Sequence, residues 1–226
     1  EAAFVMLVPP PLATDVLAES RAIARAIAVA VRAARVPHVV ALSSVGAQLA
    51  TGNGIVQALH DFEVALAGAA PSIVFLRPGY FMENWAPMLP AAQAGVLPSA
   101  QQPLDARNEI VSAHDVGRTA ADLLFEPRPG MRIVNLAGPA QYSPVDAAAI
   151  LSKLLGKTVS AVPSSREETI AGLVAAGMGA DYAAKLADLD DAANEGRMGF
   201  APGSGEVRRG TVTLEQVLQR LVGGAS

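Results

Sequence analysis

Continuous apolar runs alternate with amphipathic stretches in the first part of the chain. The apolar runs are 3–8, 38–42 and 72–77, and the amphipathic stretches are 15–35 and 55–68. The runs predict strands buried on both faces of a sheet, and the stretches predict helices, the first of them capped by Thr14. Three strands joined through helices, with no hairpin signal between them, predict right-handed crossovers in a parallel sheet.

The pattern loosens in the second part of the chain. A helix predicted over 81–94 is interrupted by two prolines, and the stretch 201–210 is typical of a linker. Further strands are predicted at 109–112, 131–136 and 158–162, and further helix N-caps at Ser112, Ser143, Ser165 and Thr213. We therefore expect an α/β domain over 1–139 and a smaller mixed α/β lobe over 140–226, interleaved with 81–113.

The composition narrows the classes of function. The 226 residues carry a net charge of −4 without a basic block, so a nucleic-acid ligand is not expected. The chain has no cysteine and three histidines, at positions 38, 60 and 114, whose spacing predicts no metal site. Because no apolar run reaches the length of about 18 residues that a membrane span needs, we expect a cytoplasmic protein without a membrane segment.

Small and turn-forming residues follow each of the three predicted strands. Ligands of open parallel sheets bind at the carboxyl ends of the strands, where small residues let a flat molecule approach the backbone. Each turn, taken singly, is equally typical of a plain strand end, but their succession favours a cofactor site. The predicted cofactor-binding residues are Val8, Pro9, Pro10, Ser43, Ser44, Val45, Pro78, Gly79, Tyr80 and Phe81.

Several segments resemble one known family. Residues 76–84 (LRPGYFMEN) resemble the LRP-x-x-FMEN segment of the NmrA-like, atypical short-chain dehydrogenases, and 39–47 and 110–117 resemble their SS-x-G and I-S-x-x-D-I-G segments. The resemblance runs through nearly the whole chain. It implies a Rossmann-like parallel sheet flanked by helices that binds NADP or NAD. It also implies that 1–139 is part of this domain and that 140–226 forms the substrate-side lobe, one wall of a cleft.

The sequence departs from the family pattern in two places. The glycine-rich G-x-x-G-x-x-G motif that binds the pyrophosphate has no match, so we expect about three strands upstream of residue 1 and expect NADP or NAD binding to depend on them. The Tyr-x-x-x-Lys pair of typical short-chain dehydrogenases is absent from 50–70. Leu59 stands where several NmrA-like reductases keep Lys or His, and the adjacent His60 is the candidate catalytic acid.

Some candidate residues have an equally good structural interpretation. His60 is also typical of a partly exposed helix position. The resemblance implies that Asn84 and Trp85 line the substrate cleft, but Trp85 is as well suited to packing within the lobe.

Other polar residues are expected to be structural. We expect Glu63 to make structural hydrogen bonds, Arg77 to hold a strand end, Asp115 to cap a helix and His38 to lie at the surface. The acidic residues Asp188, Asp190 and Asp191 predict a solvated helix face.

Two hypotheses for the function follow from the resemblance. The first is an NAD(P)H-dependent reductase of a small flat acceptor such as a quinone. The second is a dinucleotide-sensing regulatory or binding protein with a protein partner and little or no turnover, which the missing Tyr and Lys favour. A family member without any ligand is the third hypothesis. The sequence does not indicate the oligomeric state.

Overall fold

A parallel sheet forms the centre of the molecule. Within residues 1–224, which the computed structural model describes, the strands are β1 (Ala3–Met6), β2 (His38–Leu42), β3 (Ser72–Pro78), β4 (Tyr80–Phe81), β5 (Val96–Ser99), β6 (Asn108–Val111), β7 (Gly130–Ala137), β8 (Gln141–Tyr142), β9 (Ser160–Pro163) and β10 (Glu206–Arg209). The main sheet has the order β1-β2-β3-β7-β10, and every neighbouring pair in it is parallel. The predicted α/β class with a parallel sheet is confirmed.

Helices cover both faces of this sheet. In the same described residues they are α1 (Val16–Ala33), α2 (Gln57–Leu66), α3 (Leu89–Gln93), α4 (Ala113–Leu124), α5 (Pro144–Leu155), α6 (Arg166–Ala175), α7 (Ala180–Asn194) and α8 (Leu214–Gly224), with 3₁₀ segments at Gly54–Val56 and Met82–Met88. Side chains of alternating strand positions point to opposite faces. Val39 therefore packs with α1 and α2 on one face, whereas Val40 packs with α4 on the other.

Local cap chemistry sets most helix starts. Ser143 and Ser165 each form a reciprocal capping box, and Ser112 caps α4, as predicted. The prediction of Thr14 as the first cap was wrong by one residue, because the Asp15 carboxylate accepts from the Ala18 N–H at 2.9 Å. A carboxylate is also the better cap, since the N-terminus of a helix carries partial positive charge.

The first strand is not buried on both faces as predicted. Phe4 and Met6 are 41% and 47% exposed, whereas Val5 between them packs against the core beside α1 and α2. β1 lies at the edge of the main sheet within the described residues, and one of its faces is open. The run of apolar residues alone could not distinguish this half-open strand from a central one.

Residues from the second half of the chain complete both the lobe and the main sheet. Outside the main sheet lie the sheet β4-β6-β8 and the pair β5-β9, and we use the word lobe for the part of the structure built around them. The stretch 201–210, predicted as a linker, instead contains β10, which pairs with β7 in the main sheet. No helix in residues 1–224 has the length and apolar character needed to cross a bilayer.

Two polar residues were assigned wrongly from the sequence. His38 is 2% exposed rather than at the surface, and its ring bridges the Ser72 hydroxyl at 2.8 Å and the Leu123 carbonyl at 2.9 Å. Asp115 does not cap α4. Its carboxylate instead accepts from the N–H groups of Thr211 and Val212 at 2.9 and 2.8 Å, which holds the segment before α8 against α4. In both cases the partner is distant in sequence.

Candidate functional site

The carboxyl ends of three strands lie side by side at one edge of the main sheet. β1, β2 and β3 are parallel neighbours, with Met6 beside Leu42 and Leu42 beside Leu76. The predicted cofactor residues that follow these positions therefore form a row. Val8 is 59% exposed, Pro9, Pro10, Ser44, Tyr80 and Phe81 are partly exposed, and Ser43, Val45, Pro78 and Gly79 are buried.

Backbone hydrogen bonds hold these strand ends together. The Ser43 N–H donates to the Leu76 carbonyl at 2.7 Å, and the Val45 N–H donates to the Pro78 carbonyl at 2.9 Å. The Gly79 N–H donates to the Leu136 carbonyl at 2.9 Å, so this N–H is already used within the protein. A ligand at this edge would meet loops whose backbone is fixed in advance.

Gly79 is required by the close approach of two strands. A Cβ at this position would lie 2.3 Å from the Glu109 carbonyl oxygen, a distance that no methyl group tolerates. The absence of a side chain therefore lets the turn after β3 pack directly against β6, and this contact positions Tyr80 and Phe81 of β4.

A buried ionic cluster lies directly beneath the row. The Arg77 guanidinium donates to the Glu63 carboxylate from Nε at 2.8 Å and from Nη2 at 2.5 Å, and the Ser43 hydroxyl donates to the same carboxylate at 2.5 Å. The three residues come from the end of β3, from α2 and from the end of β2. Ser43 therefore serves the cluster rather than offering its proton to a ligand. The hydroxyl of the partly exposed Ser44 donates to the Val45 carbonyl and takes no part in the cluster.

The residues of the LRPGYFMEN segment divide between site and lobe. Met82 is fully buried in the lobe core, and the Glu83 carboxylate accepts from the Ala113 N–H at the start of α4. Trp85 packs against the lobe core and is partly exposed, whereas Asn84 is exposed and has no hydrogen-bond partner within residues 1–224. Trp85 thus has a packing role in the structure, and its place in a cleft stays a prediction.

Known proteins share this architecture. No family model matches the chain. Over 129 residues it is 31% identical to the uncharacterized oxidoreductase YesF of Bacillus subtilis (strain 168). This matched region covers 56% of the chain and 44% of that protein. Over 130 residues it is 31% identical to agroclavine dehydrogenase of Claviceps fusiformis, and this match covers 55% of the chain and 44% of that protein. The matched region therefore spans less than half of each of these relatives.

Solved structures match over more of the chain. An NADPH-dependent quinone oxidoreductase of Escherichia coli is 26% identical with a TM-score of 0.72, over 88% of this chain and 72% of that one. The triphenylmethane reductase of Citrobacter sp. is 18% identical with a TM-score of 0.77, over 98% of this chain and 76% of that one. The negative transcriptional regulator NmrA is 18% identical with a TM-score of 0.62, over 89% of this chain and 63% of that one. The fold is NmrA-like. The predicted likeness in fold is confirmed.

The hydrogen bonding of His60 limits its use as a catalytic acid in place of the missing Tyr-x-x-x-Lys pair. Its Nδ1 lies 2.9 Å from the Ala47 carbonyl. Because a carbonyl only accepts, Nδ1 carries the proton, and Nε2 of the neutral ring has only a lone pair to offer. His60 can therefore donate a proton from Nε2 only as the imidazolium. Nε2 has no partner within residues 1–224.

Sequence reasoning missed one titratable residue of this NmrA-like structure. Asp190 of α7 was predicted to be solvated, but it is only partly exposed, and burial and the nearby Asp191 charge raise its pKa to about 6. Its helical spacing from the buried Ala183 and Ala187 was the available signal, because positions i, i+4 and i+7 share one helix face. Asp188, by contrast, lies between Arg166 and Lys185 in ion pairs.

Proposed function

We propose that this chain forms the nicotinamide-facing part of an NAD(P)H-dependent oxidoreductase that reduces a small flat acceptor such as a quinone. The observation that carries the proposal is the row of three fixed strand ends in an NmrA-like fold. The likeness to the quinone oxidoreductase of Escherichia coli, which is NADPH-dependent, supports it.

The residues at the row suit the nicotinamide end of a dinucleotide. Val8, Pro9 and Pro10 offer an apolar surface to a flat ring, and the Ser44 hydroxyl is accessible beside it. The sequence contains no G-x-x-G-x-x-G, so none of its residues supplies the usual cradle for the pyrophosphate. We therefore expect the 226 residues on their own to bind nicotinamide weakly and whole dinucleotide little better.

The residues of this chain would hold the site in a fixed geometry and supply a proton, whereas the hydride would come from the cofactor. Bound NAD(P)H supplies a hydride to the acceptor. The cluster of Ser43, Glu63 and Arg77 holds the strand ends in place, which limits the reorganisation needed when the acceptor binds. The proton that the reduced acceptor takes up would come from the imidazolium of His60 or from water.

Amide chemical shifts test the proposed cofactor end directly. Reduced nicotinamide mononucleotide carries the reactive ring without the adenosine half, so its binding does not need a pyrophosphate cradle. We expect it to shift the amide signals of Ser44, Val45 and Tyr80 and to leave the distant Asp122 unchanged. Shifts elsewhere, or none at millimolar concentration, would reject this placement.

Turnover is tested separately with a panel of quinones and triphenylmethane dyes, and NADPH is supplied at millimolar concentration because weak binding is expected. A reductase is expected to consume NADPH only when an acceptor is present, more slowly after His60→Ala. His114→Ala is the matched control, because His114 is an exposed histidine on α4. Equal rates in both variants would remove His60 from the reaction, and water would then be the proton source.

A regulatory function is the second candidate. The absence of Tyr and Lys from 50–70 and the engagement of His60 Nδ1 by Ala47 both favour low turnover. The NmrA regulator has the same fold. In this case NADP is expected to change the binding of a protein partner, and no acceptor in the panel would be reduced.

A further inference from the structure

The start of α7 lies against the strand-end row, although α7 is far from the row in sequence. The Gly179 N–H donates to the Pro11 carbonyl at 2.8 Å, and the Asp181 carboxylate accepts from the Val16 N–H at 2.8 Å. Pro11 directly follows the predicted cofactor residues at the end of β1, and Val16 begins α1. Tyr182, the next residue of α7, is therefore held beside the loop that leaves β1.

An apolar cluster connects this loop with the loop that leaves β2 and with α7. Its buried residues, which we call the strand-end cluster, include Ala13 after β1, Ala47 and Val56 after β2, and Ala192 of α7. Tyr80 and Tyr182 both pack against the strand-end cluster. Tyr182 thus shares its surroundings with one of the residues predicted to bind the cofactor.

The hydroxyl groups of these two tyrosines differ in accessibility. The Tyr80 hydroxyl is shielded from solvent, so a ligand at the row does not reach it. The Tyr182 hydroxyl is not shielded in this way, and it has no hydrogen-bond partner within residues 1–224. Burial of the ring raises the pKa of Tyr182 above its ordinary value, so the hydroxyl keeps its proton at neutral pH. Tyr182 therefore presents a free O–H donor beside the row.

His60 contacts the same cluster but lacks this property. Its Nδ1 proton is engaged by the carbonyl of Ala47, and Nε2 of the neutral ring has only a lone pair to offer. A tyrosine hydroxyl donates in its neutral form, so it needs no prior protonation. This is the donor that the missing Tyr-x-x-x-Lys pair would have supplied from residues 50–70.

We propose that the Tyr182 hydroxyl contacts the acceptor and donates the proton that a quinone carbonyl oxygen takes up on reduction. The inference rests on the proposed function and names a proton donor for it. The quinone receives two electrons and one hydrogen with the hydride of the reduced nicotinamide, and one proton from Tyr182, which together give the hydroquinone. Water is the ultimate source of the proton, because it returns one to the tyrosinate.

Chemical shifts of the tyrosine ζ carbons test the contact without turnover. The chain has three tyrosines, Tyr80, Tyr142 and Tyr182, so labelling this carbon gives three signals that phenylalanine variants assign. Oxidised nicotinamide mononucleotide and menadione are added together, because no hydride passes between two oxidised partners. We expect the signal of Tyr182 to shift, whereas that of Tyr142, which packs against the lobe core, should stay unchanged.

Turnover of menadione with millimolar NADPH tests the proton transfer. Tyr182→Phe keeps the ring and removes a hydroxyl that has no partner within residues 1–224, so the fold should not change. We expect kcat to fall by about tenfold or more and the KM for menadione to change by less than about threefold. Tyr142→Phe is the matched control and should keep the kcat of the parent.

The outcomes separate this proposal from the proposed function. An unchanged Tyr182 signal, or equal kcat in Tyr182→Phe and the parent, would overturn the role of Tyr182 and leave the reductase function standing. Equal losses of kcat in both phenylalanine variants would also overturn the assignment to Tyr182. A parent that consumes no NADPH with any acceptor would instead overturn the proposed function, and the proton transfer with it.

Discussion

The guanidinium of Arg77 and the carboxylate of Glu63 form a two-point ion pair at 2.8 and 2.5 Å, with side chains only 6% and 10% exposed. Glu63→Ala would leave the Arg77 charge buried and unpaired. We expect a loss of about 3–5 kcal/mol in the free energy of unfolding, measured by urea denaturation. The amide signals of Ser43 and Ser44 are expected to shift at the same time.

The control for this prediction is an ion pair at the protein surface, exposed to solvent. Lys153 donates to Glu215 at 2.7 Å, but their side chains are 74% and 46% exposed. Lys153→Ala is therefore expected to cost less than about 1 kcal/mol. Similar losses in both variants would show that burial does not set the strength of the Arg77–Glu63 pair.

Asp115 is expected to be essential for the attachment of the segment before α8. Removing its carboxylate in Asp115→Ala leaves the N–H groups of Thr211 and Val212 without their acceptor. We expect a loss of about 2–4 kcal/mol and faster amide hydrogen exchange at these two positions. Asp122→Ala, on the exposed face of the same helix, should change neither measurement.

Gly54 allows α7 to approach the 3₁₀ segment that precedes α2. Its φ is +58°, and a Cβ there would lie 2.3 Å from the Lys185 carbonyl oxygen and 2.4 Å from the Leu189 nitrogen. Because both neighbours are backbone, Gly54→Ala must displace α7. We expect a loss of about 3 kcal/mol or more in thermal or urea unfolding.

Gly68→Ala is the control that distinguishes the steric clash of an added Cβ from the cost of the left-handed backbone conformation. Its φ is +69°, but a Cβ there would have no neighbour within 4 Å. Gly68→Ala should therefore cost only the left-handed conformation, about 1–2 kcal/mol. If both alanine variants lost the same amount, the contact between Gly54 and α7 would not matter for stability.

Asp190 is expected to lower the stability of the protein at neutral pH. Its pKa rises from the ordinary 3.8 to about 6 on folding, so the folded state holds the proton more tightly. Stability should accordingly fall as the pH rises from about 4 to about 6 and stay lower above that. Asp190→Asn should be more stable than the parent at pH 7, by at most about 3 kcal/mol, and equal to it near pH 4. A pH-independent difference would contradict this assignment.

Local signals in the sequence were sufficient for much of the fold. The limits of β2 and the N-caps at Ser143 and Ser165 all follow from residues within a few positions of one another. The row of strand ends followed from strand order, since parallel strands end at the same edge. These features need no knowledge of distant contacts.

The wrong predictions concern residues whose environment is set by contacts with segments that are distant in sequence. Burial of His38 depends on Ser72 and Leu123, and the contacts of Asp115 depend on residues near position 211. The strand β10 is short and polar, so only its pairing with β7 makes it a strand. Asp190 has acidic neighbours in sequence, whereas its partial burial depends on segments that are distant in sequence. Contacts between distant segments are not encoded in local periodicity.

The placement of β10 also affects how the chain can fold during synthesis. Residues 206–209 pair with β7, whose other neighbour β3 begins at Ser72, so the last strand of the main sheet comes from a segment well after β7 in sequence. A ribosome must translate the 68 residues between the end of β7 at Ala137 and the start of β10 at Glu206 before this edge of β7 is covered. Until then the nascent protein exposes an unpaired edge of β7, whose free N–H and C=O groups can pair with another extended chain.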